Sequence, residues 1–143
     1  MTPQQILYSA SPLKPLPLDV LQEIWSEAKV VELPGNAVLY SEGDASDGSL
    51  YMVADGELTV IIHRPDGSVV TIGKLPGDLC GESALVNKDR SRIATVQVTS
   101  PAAKLLFWDG EALLNRPSLQ PMAKLLSSIA WGNTRETQDL KQF

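Results

Sequence analysis

This chain of 143 residues has a single cysteine and a single histidine. Cys80 alone can form no internal disulfide and is compatible with a reducing cytoplasm, which is where the chain is expected to reside. With His63 as the only imidazole, general acid–base catalysis is restricted and a histidine-based metal site is disfavoured, so no metal is expected. Long hydrophobic runs are missing too. Stretches such as Val60-Ile61-Ile62 fall far short of the ~20 residues of a membrane helix, so no membrane insertion is expected. The N-terminus carries neither the basic n-region nor the apolar h-region of a secretory signal. Basic charge is scarce: 12 Lys and Arg face 17 Asp and Glu, for a net charge of -5. Nucleic-acid phosphates are bound by clustered cations, and here the cations are scattered, which argues against a nucleic-acid partner. An anion would have to be held in a local pocket, against an unfavourable overall field.

What remains is a globular composition, with 43% hydrophobic and 20% charged residues, which excludes wholesale disorder. The length suits one domain, and a chain of this size buries about 70% of its unfolded surface without a disulfide or metal staple. We expect a single domain over 1–143. It divides into a proline-rich segment at 1–16, a helix at 17–29, a β-rich region at 30–108 and helices at 109–143.

In the first zone, Ser11-Pro12-Leu13-Lys14-Pro15-Leu16-Pro17 cannot continue a helix and reads as a plain spacer. Leu18, Leu21, Ile24, Trp25 and Ala28 then recur at helical spacing, with Asp19 favouring the helix start. The middle zone is a train of short β-type runs: Val38-Leu39-Tyr40, Leu50-Tyr51-Met52-Val53, Leu58 to Ile62, Val69 to Ile72, Ala94 to Val98 and Ala103 to Trp108. Turns such as Glu42-Gly43-Asp44, Ala54-Asp55-Gly56 and Pro65-Asp66-Gly67 separate them. Short, evenly spaced strands without intervening helices predict a sandwich, jelly roll or barrel and exclude a parallel Rossmann-type sheet. Gly35, Gly43, Gly56 and Gly77 read as turn glycines, and His63 as an exposed hairpin residue. Beyond Asp109-Gly110 the chain turns helical, with Met122, Leu125, Leu126 and Ile129 forming an apolar stripe. Gly132 weakens that helix by about 1 kcal/mol relative to alanine.

The chemistry is concentrated in Gly81-Glu82-Ser83-Ala84-Leu85, followed by Arg90-Ser91-Arg92-Ile93-Ala94. A short helical turn after Gly81 would point free backbone N–H groups at an anion, and Arg92 would add a bidentate fork. A plainer reading is that Glu82 and Arg92 form a structural ion pair closing a loop. Cys80 either packs inside or lines the pocket. Gly81-Glu82-Ser83-Ala84-Leu85 also imitates an esterase elbow. That motif needs a second glycine where Leu85 stands and a histidine later in the chain, so hydrolase chemistry is rejected.

The ordered set Leu33-Pro34-Gly35, Tyr40-Ser41-Glu42-Gly43-Asp44, Leu50-Tyr51-Met52-Val53-Ala54-Asp55-Gly56-Glu57-Leu58, Gly81-Glu82 and Arg92-Ile93-Ala94-Thr95-Val96 resembles the cyclic-nucleotide-binding domain family, over roughly Leu16 to Thr137. The resemblance implies a mainly β fold with flanking helices. This is a double-stranded β-helix, or jelly-roll-like β-roll, with an N-terminal helix and a C-terminal lid helix. It implies a non-enzymatic regulatory module whose ligand is a cyclic nucleotide, with no other cofactor. Glu82 would accept a hydrogen bond from the ribose 2′-hydroxyl. Backbone N–H groups at Ser83 and Ala84 would hold the phosphate, and Arg92 would neutralise it. Val70, Ile72 and Leu79 would line the base. Asn133, Thr134 or Arg135 would approach the base from the lid.

Two positions depart from the family pattern: Ser83 stands where a large aliphatic is usual, and Ile93 where Ala, Ser or Thr is usual. Ile93 has no hydroxyl to offer a guanine amino group, which favours cAMP over cGMP. The C-terminal helix, near Ile129 and Trp131, is the expected surface for a protein partner or self-association. The alternative reading is a fold that no longer binds nucleotide and serves as a protein-interaction scaffold.

Overall fold

The computed structural model describes residues 1–82 and 91–129. Eight strands in that span build two four-stranded antiparallel sheets. They are β1 (Lys29–Pro34), β2 (Val38–Tyr40), β3 (Ser49–Asp55), β4 (Leu58–His63), β5 (Val69–Lys74), β6 (Leu79–Cys80), β7 (Thr95–Val98) and β8 (Ala102–Asp109). One sheet runs β1-β8-β3-β6 and the other β2-β7-β4-β5. The β4–β5 hairpin is closed at Arg64-Pro65-Asp66-Gly67. There Gly67 N–H donates to the Arg64 carbonyl at 3.0 Å, and Asp66 accepts from the Ser68 amide at 2.8 Å. His63, at the end of β4, is exposed as expected.

The central strands of the first sheet, β3 and β8, are buried on both faces and so read as nearly continuous apolar runs and not as strict alternation. Leu50, Met52, Leu79, Leu106 and Trp108 pack toward the helices, while Val53, Cys80, Ala103 and Leu105 join Leu58, Val96 and Val98 between the sheets. Helices α2 (Leu18–Glu27) and α3 (Gly110–Leu114) cover the helix-side face. A fourth helical stretch, α4, is described over 120–129 and buries Met122 and Leu126 there. Trp108 Nε1 donates to the Ile24 carbonyl at 2.9 Å, which fastens α2 to β8.

The N-terminal zone differs from its sequence reading. Residues Pro3–Ser9 form a helix, α1, with a capping box in which Gln5 N–H donates to Thr2 Oγ1 at 3.2 Å and Thr2 N–H to Gln5 Oε1 at 2.8 Å. Pro3 occupies the first turn, where its missing donor costs nothing. The proline-rich stretch is not a plain spacer: Ser11–Leu13 is a 3-10 turn, and Leu13 and Leu16 are buried in the helix-side core. Within α2, Val20, Leu21 and Ile24 are buried, whereas Leu18 is 61% exposed because it opens the first turn at the surface. Among the described residues no helix is long and apolar enough to cross a membrane.

Candidate functional site

The site is built where β6, the segment 41–49 and the approach to β7 converge. β6 is only two residues long, and its pairing sorts its side chains. Cys80 lies opposite Tyr51, inside the roll, and Leu79 opposite Met52, on the helix side. Leu79 therefore does not line the roll as the resemblance implied. Strand alternation sends it into the other core. Val70 and Ile72 lie across from Ile62 and Val60 on β4 and so share their face. Val70 is half-buried, while Ile72, on the edge strand, is 41% exposed.

Gly81 follows with φ +97, and a Cβ there would stand 2.7 Å from the Ser49 carbonyl oxygen and 3.2 Å from Arg92 Nη1. Only glycine fits this conformation and this approach. The backbone of Arg92 is pinned by the Glu42-Gly43-Asp44 turn. Arg92 N–H donates to the Asp44 carbonyl at 2.8 Å, and Gly43 N–H to the Arg92 carbonyl at 2.8 Å. Its side chain is buried. Nη1 donates to the Gly81 carbonyl at 3.4 Å, and Nη2 to the Ser49 carbonyl at 3.2 Å and to Asp47 Oδ1 at 3.2 Å. The guanidinium carbon lies 4.1 Å over the centre of the Tyr40 ring. Gly81 and Arg92 thus meet directly, and Glu82 is buried with them. Ile93, next in the chain, is half-buried. Ser83 and Ala84 lie outside the described residues, as do Asn133, Thr134, Arg135 and Trp131.

The electrostatics follow from burial and neighbours. Burial pushes the Cys80 thiol up to about 12, with the Glu82 charge adding to the effect, so Cys80 is a neutral, unreactive packing residue at ordinary pH. Burial also raises the Tyr40 phenol well above its usual range, with Cys80 adding to the shift and Arg92 opposing it. Tyr51 is raised by burial as well. Hydrogen bonds from Ser49 hold the Asp47 carboxyl below its usual range, and the Arg92 charge assists.

Sequence reasoning did not assign roles to Asp47, Ser49, Tyr40 or Tyr51. β3 is apolar on both faces, so its sequence gives no alternation from which to assign the side of Tyr51. Nothing local pairs Tyr40 or Asp47 with Arg92, because those contacts join distant parts of the chain.

Comparison with known proteins sets this geometry in a family. The family model described as the cyclic nucleotide-binding domain matches residues 30–116. No curated protein matches the chain. Among solved structures, the chain is 27% identical to the N-terminal domain of a transcriptional regulator from Streptomyces coelicolor A3(2), over 94% of this chain and 93% of that one, with a TM-score of 0.66. It is 25% identical to the catabolite activator protein of Thermus thermophilus, over 90% of this chain and 60% of that one, with a TM-score of 0.69. The regulatory domain of Toxoplasma gondii PKA, solved with cAMP, shares the fold at 16% identity and a TM-score of 0.75, over 92% of this chain and 48% of that one. The chain belongs to the cyclic nucleotide-binding domain family.

Proposed function

We propose that this chain is a non-catalytic, cytoplasmic regulatory module that binds a cyclic nucleotide in the β-roll, cAMP in preference to cGMP, and signals through its C-terminal helix. The observation that carries this reading is the disposition of Arg92. A guanidinium has five N–H donors. Two on Nη2 and one on Nη1 are used by Asp47, Ser49 and Gly81. Among the described residues that leaves Nε and one Nη1 hydrogen, on different edges of the guanidinium, and either can donate to an external anion. A cyclic phosphodiester carries one negative charge, which one arginine neutralises through a charge-assisted hydrogen bond. Glu82, buried beside Gly81, is the natural acceptor for a ribose hydroxyl. Val70 and Ile72 offer an apolar wall on β5, and Ser83 and Ala84 would add backbone donors. The preference for cAMP rests on Ile93, which offers no hydroxyl to a guanine amino group.

Signalling has a physical route. Leu119, Met122 and Leu126 are buried in the same core as Leu79, the residue two before Gly81. A ligand that prefers one packing of α4 shifts the population toward it. A protein partner, or a second copy, would read that shift at the C-terminal helix.

Calorimetric titration with cAMP and then cGMP tests the reading. Micromolar or tighter binding of cAMP, lost in Arg92→Ala, is the expected result. No heat and no thermal shift with either nucleotide would overturn it and leave the scaffold role as the working alternative.

A further inference from the structure

Among the described residues three hydrogen bonds hold the Arg92 fork by its edge, and all are long, at 3.2 to 3.4 Å, where N–H···O bonds are normally 2.9 to 3.0 Å. Edge contacts of this kind leave the guanidinium free to tilt out of its plane. The contact that opposes tilting is on the face: the Tyr40 ring, 4.1 Å from Arg92 Cζ. Tyr40 ends β2, whose partner β7 begins three residues after Arg92, so the ring and the guanidinium are presented by neighbouring backbones. The ring is partly buried and packs against the core inside the roll, where a cation–π contact is least diluted by water.

We propose that Tyr40 is a positioning residue for the phosphate site: its ring fixes the plane of the Arg92 guanidinium and with it the direction of the N–H that meets the incoming phosphate. The proposal rests on the nucleotide-binding reading above and assigns Tyr40 a role through Arg92, with no contact of its own to the ligand. Because burial keeps the phenol neutral, the π face and not a phenolate charge does the holding. The hydroxyl is then dispensable and the ring is not.

The test is titration of cAMP into the parent protein, Tyr40→Phe and Tyr40→Leu, with melting curves for each. Tyr40→Phe should bind within about threefold of the parent, and Tyr40→Leu about tenfold more weakly. In an Arg92→Lys background, where there is no planar fork to orient, Tyr40→Leu should cost less than about threefold. Should Tyr40→Leu melt below the assay temperature, Tyr40→Met, unbranched and able to fill the gap, reads the same loss. Parent-like binding by Tyr40→Leu or Tyr40→Met, or an equal loss in both arginine and lysine backgrounds, overturns the role of Tyr40 and leaves the nucleotide reading standing. A parent protein that takes up no cyclic nucleotide overturns both.

Discussion

The two faces of the sheet β1-β8-β3-β6 are made by the same strands and do different work. Toward the helices, Leu50, Met52, Leu106 and Trp108 meet Leu7, Leu13, Ile24, Leu119 and Met122 in a wholly apolar core. Toward the other sheet, Val53, Cys80 and Leu105 continue into a region where Ser49, Glu82 and Arg92 are buried. Each large aliphatic side chain on the first face contributes about 1.5–3 kcal/mol by leaving water. The second face spends part of that gain on buried charge, which is costly to desolvate even when hydrogen-bonded. On the proposed reading, stability and recognition are thus divided across one sheet. β3 serves both, since Ser49 and Tyr51 face the site while Leu50 and Met52 face the helices.

The strongest way to break this division is to attack the helix side. Trp108→Ala removes a fully buried indole and its hydrogen bond to the Ile24 carbonyl, and should destabilise the fold by about 3–5 kcal/mol. Urea denaturation measures it. If the division is real, protein that remains folded binds cAMP with parent-like affinity. A matching loss of affinity would mean that the two faces are not separable.

Gly81→Ala attacks the seam between the faces. The added methyl would meet the Ser49 carbonyl at 2.7 Å on a backbone with φ +97, so strain and displacement should cost about 1–3 kcal/mol. Arg92 Nη1, 3.2 Å from that methyl, would have to yield as well. Stability and nucleotide affinity should therefore fall together, unlike in Trp108→Ala. A melting curve and a cAMP titration on the same sample check this, and unchanged affinity would contradict the close packing of Gly81 on the arginine.

Much of the fold and part of the candidate site were legible in the sequence, and the failures are instructive. The strands of the β-rich region could be read because their apolar runs are bounded by turn residues such as Gly56 and Pro65-Asp66-Gly67. Gly81, Glu82 and Arg92 stood out because their spacing matches a family pattern. α1 was not read, since seven residues with only Ile6 and Leu7 buried are too few to display a period. The capping residues Thr2 and Gln5 were its one local sign. Leu79 was placed on the wrong face because a two-residue strand has no alternation to read, and only its pairing with Met52 settles its side. The sequence around Tyr40 shows no role for it, because its partner comes from a remote segment and is brought in by the β2–β7 pairing.

The mildest perturbation sharpens the contrast between a buried charge and its exposed partner. Asp47 accepts from Arg92 Nη2 at 3.2 Å, yet its side chain is 75% exposed while that of Arg92 is 4% exposed. Water screens the carboxylate, so Asp47→Asn should lower stability at neutral pH by less than about 1 kcal/mol. The Ser49 amide at 2.9 Å retains an acceptor in the asparagine, which limits the loss further. The carboxyl is held below its ordinary value of 3.8, first by hydrogen bonds from Ser49 and then by Arg92. The unfolded chain therefore takes up the proton before the folded protein does. The stabilisation is fully present above about pH 4 and is lost as pH falls through the lower folded value. Melting temperatures of parent and Asp47→Asn should differ slightly at pH 7 and converge in acid. A gap that persists or widens in acid would show that Asp47 acts through its shape and hydrogen bonds and not through its charge on Arg92.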